Sequence, residues 1–256
     1  MMYSKSTMII AVFCTLAALA LFLLSGPIAQ PLSYHDFADS RTLLGVDNFS
    51  DVISNLFFVV VGAWGLIAGG ANRLVHDNYP GYPVYGIFFA GVLLTGLGSA
   101  WYHLNPNNVT LVWDRLPMTI GFMALTTGLL SEFLGGELQK RLLYPLLLAG
   151  LASVIYWHIG EQAGRGDLRP YLLVQFLPMV VIPLVALTHR SRFTRATDLI
   201  PLVGLYGLAK VAELLDAQIY QVLGVISGHS LKHLLAALAV GVVLSMLHRR
   251  RAVEQV

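Results

Sequence analysis

The sequence predicts an all-α, polytopic membrane bundle: a seven-helix core preceded by one N-terminal span. Three observations predict it. Of 256 residues, 56% are hydrophobic and only 12% charged, where soluble domains carry about 25% charge. The apolar residues fall in blocks near the roughly 20 helical residues that cross a bilayer. Lys and Arg gather in alternate connecting segments, as orientation across a membrane requires. A water-soluble core of this length has no means of absorbing so much apolar surface. The net charge of +2 gives no footing for nucleic acid. Cys14 is the single cysteine, so no intrachain disulfide forms and cysteine usage is silent on redox compartment.

Eight blocks read as spans: 8–26, 52–70, 83–102, 111–134, 142–158, 171–187, 199–215 and 230–247. The first follows Lys5 and has the outline of a signal peptide, but no small-residue cleavage site follows it, so it reads as a retained anchor. Residues 1–47 then form an anchor helix and outer loop, and residues 48–256 a seven-span domain. With the N-terminus inside, the inner segments hold Lys5, Arg73, Lys140, Arg141, Arg190, Arg192, Arg195 and Arg249 to Arg251, and the outer ones only Arg41, Arg165 and Arg169. Both termini are therefore expected in the cytoplasm. The segment 27–51, with Pro31, His35, Asp36, Asp39, Arg41 and Asp47, reads as a plain solvated loop in preference to a lid or interfacial helix.

Sorting the polar residues by this topology brings four of them to one leaflet. His103 ends the third span, Asp114 opens the fourth, and His229 and His233 open the last. Ionisable groups within a bilayer are costly and usually face a bundle interior or aqueous cavity. At 3.6 residues per turn, His229 and His233 share one helix face. Ser99 and His103 repeat that spacing, and the Asn105-Pro106-Asn107-Asn108 turn favours a tight hairpin that returns Asp114 beside them. One hairpin histidine and two from the last helix make three nitrogen ligands with a position left for water, the arrangement of a catalytic zinc. Read singly, the residues are blander. An HxxxH pair arises by chance in a chain with eight histidines, Ser99 reads as bonded to its own helix, and Asp114 as paired with Arg115 or an amide. Lys210, Glu213 and Asp216 read as an ion-pair network, and His158 and Glu161 as solvated. His35 with Asp36 is only a two-ligand local pair.

The segments Gly96-Leu97-Gly98-Ser99-Ala100-Trp101-Tyr102-His103, Trp113-Asp114-Arg115-Leu116-Pro117-Met118 and His229-Ser230-Leu231-Lys232-His233 together resemble the alkaline ceramidase family. That family belongs to a superfamily of seven-span membrane hydrolases and adiponectin-receptor-like proteins. Ser54-Asn55-Leu56 is similar to the family's first core helix, so the resemblance runs from Asn48 to Leu247. It implies zinc held by His103, His229 and His233, with Asp114 as base and Ser99 as oxyanion donor. The implied substrate is an amide-linked, ceramide-like lipid taken from the bilayer and cleaved to a fatty acid and a sphingoid base. Three features depart from the pattern: Arg115 stands where an acidic residue is common, Leu231 and Lys232 where aromatics are, and one extra span precedes the core. Calcium enters only as a possibility through Asp36, Asp39 and Asp47, whose spacing is not the family's acidic motif. The alternative is a receptor-like or structural member of the superfamily with a non-catalytic metal. A proton relay fits less well because the inner leaflet lacks a matching chain of polar residues, and an intramembrane serine protease less still because Gly98-Ser99-Ala100 lacks the second glycine.

Overall fold

The structure, a computed structural model, describes residues 5–71, 73–74 and 83–253, apart from the side chains of 5–8, 10 and 11. The outermost residues of the two expected domains, 1–4 and 254–256, lie outside the described residues. The described chain is all-α, with no strand: α1 (Lys5–Leu24), a 3-10 turn (Leu32–His35), α2 (Phe49–Ser54), α3 (Leu56–Gly70), α4 (Val84–Leu104), α5 (Leu111–Leu134), α6 (Glu137–Gln162), α7 (Arg169–Thr188), a second 3-10 turn (Ala196–Asp198), α8 (Leu199–Leu214), α9 (Asp216–Leu223) and α10 (Gly228–Arg249).

Six helical stretches among the described residues are long and apolar enough to cross a membrane: Phe49–Gly70, which joins α2 and α3, and α4, α5, α6, α7 and α10. Of the other two expected spans, α1 runs for 20 residues and is apolar over Val12–Leu24 among the residues whose side chains are described, and α8 ends after 16 residues, a rise of about 24 Å. The chain bends at Leu215 into α9, and Gly228 seats the start of α10 against that corner. A Cβ at Gly228 would stand 2.2 Å from the Ala212 carbonyl oxygen and 2.7 Å from the Asp216 Cα.

The expected hairpin between α4 and α5 is present. Asn107 Oδ1 accepts from the backbone amides of Val109 (2.9 Å) and Thr110 (3.0 Å), satisfying donors that the start of α5 would otherwise leave open. Glycine then lets the two helices touch. A Cβ on Gly98 would lie 1.9 Å from the Trp113 carbonyl oxygen, so only glycine permits the approach that sets Ser99 beside Asp114. Around this hairpin, α3 packs on α4, α6 and α7 on α5, and α10 on α3 and α8, while α1 leans on α7 from outside.

The two ends of the bundle differ. At one end Arg250 Nη1 meets Glu132 Oε2 at 2.7 Å, both side chains nearly inaccessible, with the guanidinium over Phe193 at 4.3 Å and Tyr85 bonded to Glu132. The opposite end, where α4 finishes and α5 and α10 begin, gathers the histidines.

Candidate metal centre

His103, His229 and His233 are 1%, 4% and 3% exposed, and a ligand nitrogen from each lies within 4.8 Å of the other two. Their ring centres form a nearly equilateral triangle of 4.9, 5.1 and 4.9 Å. An ion about 2.1 Å from three tetrahedrally disposed imidazole nitrogens would hold the ring centres about 5 Å apart, so the donor set fits a metal ion.

The surroundings fit too. Ser54 Oγ donates to the Asp51 carbonyl (3.0 Å) and lies 2.8 Å from His233 Nδ1. A hydroxyl has one hydrogen, so Ser54 accepts from Nδ1–H and leaves the His233 Nε2 lone pair free, the orienting role that hydrogen-bond partners play for metal-binding histidines. His103 Nδ1 is buried without a hydrogen-bond partner. His229 is held differently: its backbone N–H donates to Asp216 Oδ1 (2.7 Å), and the Lys232 ammonium donates to its Nε2 (2.8 Å). An ion at the cluster either takes His229 through Nδ1 or displaces that ammonium. Lys232 also bonds Glu213 (3.1 Å), which pairs with Lys210 at 2.7 Å.

Ser99 and Asp114 are buried and face each other across the hairpin, lining one cavity with His233. This corrects the bland readings. Thr95, one turn before, donates to the Gly91 carbonyl at 2.8 Å, but Ser99 makes no such bond to its own helix among the described residues. Asp114 forms no ion pair with Arg115, because successive side chains on a helix do not face each other. The cavity holds about 260 Å³ and is also lined by Gln30, Tyr34, Arg115, Lys210, Glu213 and Lys232. A smaller apolar cavity of about 120 Å³ shares Phe58, Thr95, Met118, Tyr206 and Ala236 with it and reaches Val243, deeper between the helices.

No protein-family model and no curated protein matches this chain.

The loop expected to be merely solvated is a cover. Phe37 packs its ring 4.6 Å from His103 and 4.5 Å from His229, centre to centre. Its neighbours are tied down: the Ala38 N–H donates to Asp216 Oδ2 (3.0 Å), Tyr34 to Glu213 (3.3 Å), and Asn48 Nδ2 to the His103 carbonyl (2.9 Å). Desolvation pushes the Tyr34 phenol well above its ordinary pKa, and the Glu213 charge adds to it, so Tyr34 stays a donor.

Other residues singled out in the sequence are engaged elsewhere. His35 has both nitrogens occupied, Nδ1 by the Tyr102 hydroxyl (2.7 Å) and Nε2 by Asn108 Oδ1 (2.8 Å). Asp39 is gripped by Arg41 through both oxygens at 2.7 Å, and Asp47 accepts from Thr42, so these two do not join Asp36 in a calcium-like cluster. His158 accepts from Gln162 (3.0 Å) and Glu161 from Asn108 (3.0 Å). The expected network of Lys210, Glu213 and Asp216 splits: Glu213 takes Lys232 as its second cation, and Asp216 bonds backbone amides. Sequence reading passed over Phe37 and Asp51, and named Ser54 and Ser230 only within the segments of the resemblance, without a role. Asp51 is fully buried, and its Oδ1 accepts from Ser230 (2.5 Å) and Ser227 (3.3 Å), pinning the start of α10 to α2. An Asp and a Ser opening an apolar span were the available signal.

Proposed function

We propose that this protein is a zinc-dependent membrane hydrolase that cleaves the amide bond of a ceramide-like lipid, releasing a fatty acid and an amine. One observation carries the reading: His233 of the buried histidine triad lines the same cavity as Ser99 and Asp114, and a second, apolar cavity that shares five lining residues with it lies deeper between the helices. That is the shape of an amphipathic substrate whose scissile bond lies at its polar end. The resemblance of three separated segments to the alkaline ceramidases names the class of bond.

His103, His229 and His233 would hold the metal, and three neutral nitrogens with no carboxylate ligand suit zinc. Zinc supplies Lewis acidity there, polarising a carbonyl and making water easier to deprotonate near neutral pH. Asp114 accepts a proton from the attacking water and returns it to the departing nitrogen. Ser99 Oγ donates to the carbonyl oxygen as charge builds on it. The acyl carbon gains the water oxygen as the C–N bond breaks; the amine leaves with the proton returned by Asp114, and the water's other hydrogen stays on the new carboxyl group until it ionises. Phe37 and the loop over the histidines limit bulk water. The substrate arrives from the bilayer beside α8, which packs mainly on α10. The distribution of Lys and Arg supports a topology with both termini in the cytoplasm and this chemistry near the opposite face.

The test is fatty-acid release from a panel of N-acyl lipids by the purified, zinc-loaded protein. Wild type is expected to release fatty acid. Asp114→Asn and Ser99→Ala are expected to lose about a hundredfold or more in rate while keeping their metal. Metal-loaded wild type that cleaves no amide lipid, and behaves as Asp114→Asn does, would assign the site to a receptor-like or structural role.

A further inference from the structure

We infer that the amide lipid held in this cavity carries an oxyanion, a carboxylate or a phosphate, near its amide, and that Arg115 receives it. The inference rests on the hydrolase reading for the identity of the lipid, and on Arg115 for its charge. Arg115 is 5% exposed and lines the cavity with Ser99, Asp114 and His233. Its Nη2 donates to Gln30 Oε1 at 2.5 Å, while its Nη1 is buried with no hydrogen-bond partner. No carboxylate among the described residues pairs with it. The guanidinium is fixed by the rings of Trp157 (4.5 Å), Tyr171 (4.7 Å) and Tyr34 (5.6 Å). Ring faces attract the cation but do not accept the Nη1 hydrogens in a directed bond.

An uncompensated buried cation is expensive, and the cost falls when a partner charge is present. The bundle shows how such a cation is handled when its role is structural, since Arg250 meets Glu132 directly. At Arg115 no protein carboxylate fills that place. The rest of the cavity leans the same way. Arg115, Lys210 and Lys232 face only Asp114 and Glu213 across it, and Glu213 is shared by both lysines. A planar fork with open donors, fixed among aromatic rings, suits a carboxylate or phosphate oxygen pair. A neutral head group would satisfy a donor but leave the charge excess standing.

Binding to the full-length Asp114→Asn protein separates recognition from turnover. The probes are N-oleoylglycine, N-oleoylethanolamine phosphate and neutral N-oleoylethanolamine. At least one anionic lipid is expected to bind about tenfold or more tighter than the neutral one, the scale of a charge-assisted hydrogen bond. Adding Arg115→Gln should close that gap, and adding Arg115→Lys, which keeps the charge but not the fork, should close it in part. Equal binding of all three lipids, which needs no second substitution to observe, would overturn the inference, as would a preference that survives Arg115→Gln. Inorganic phosphate binding as tightly as the phosphate lipid would overturn the lipid as the source of the anion. Anionic lipid bound selectively by Asp114→Asn but left uncleaved by wild type would sustain the anion site and overturn the hydrolase reading instead.

Discussion

Arg250 and Arg115 are both nearly inaccessible arginines at opposite ends of one bundle, and they are treated in opposite ways. Arg250 has Glu132 at 2.7 Å and is roofed by Phe193 and Tyr85. Arg115 has a glutamine, three aromatic faces and an open cavity. The difference teaches where to look for function. A closed charge pair spends its interactions on the fold, whereas buried polar groups left facing a cavity are arranged for something that arrives. The three histidines, Ser99 and Asp114 lie at the open end.

Breaking the closed end should give the largest change in stability. Arg250→Met leaves Glu132 buried without its cation and is expected to cost about 3–5 kcal/mol, read as a fall in thermal unfolding temperature in detergent. Metal content per folded molecule should be unchanged, because the histidines belong to the other end. Loss of metal from folded Arg250→Met protein would erase the distinction between the ends.

Gly98→Ala sharpens the comparison from within the hairpin. The added Cβ collides with the Trp113 carbonyl oxygen, and overpacking of this kind costs about 1–3 kcal/mol. It pushes Asp114 away from Ser99, so turnover should fall by more than the loss of stability explains. A smaller and more selective effect is expected from Ser54→Ala. This removes the acceptor that orients His233 and should weaken metal binding about 10–100-fold, measured by competition with a chelator, with unfolding temperature nearly unchanged.

The fold and the site were legible to different depths. The histidine pair, the Ser99 and His103 spacing and the turn before Asp114 are short-range patterns, and helix geometry turns such patterns directly into neighbours. The contacts that orient them are long-range. Ser54 and His233 stand 179 residues apart, and nothing local to either announces the other. Phe37 lies in a polar segment whose composition suggests a solvated loop, and its role appears only when α4 and α10 bring His103 and His229 beneath it. Arg115 misled in the opposite way, since its neighbour in sequence, Asp114, suggested a pair that the helical twist separates. Composition likewise runs smoothly through 199–215, while α8 ends at Leu214 and Gly228 packs against the corner that follows it.

The smallest expected effect is on the cover. The hydrogen bonds from Arg41 hold the Asp39 carboxyl below its ordinary range. A carboxylate lowered on folding contributes stability that is complete above its unfolded pKa of about 3.9 and is lost as pH falls through the lower folded value. Hydrogen exchange of the segment around Phe37 should therefore stay slow at neutral pH and quicken only in acid below about pH 4. Asp39→Asn should remove that pH dependence without emptying the metal site.

The central claim, that the open end is a metal centre, is tested most directly by elemental analysis of the purified chain. The account predicts one tightly held metal ion, zinc, per wild-type molecule. It also predicts none in folded His103→Ala, His229→Ala or His233→Ala protein, and full retention in Asp114→Asn. Wild-type protein that is folded, supplied with zinc and still free of metal would contradict it.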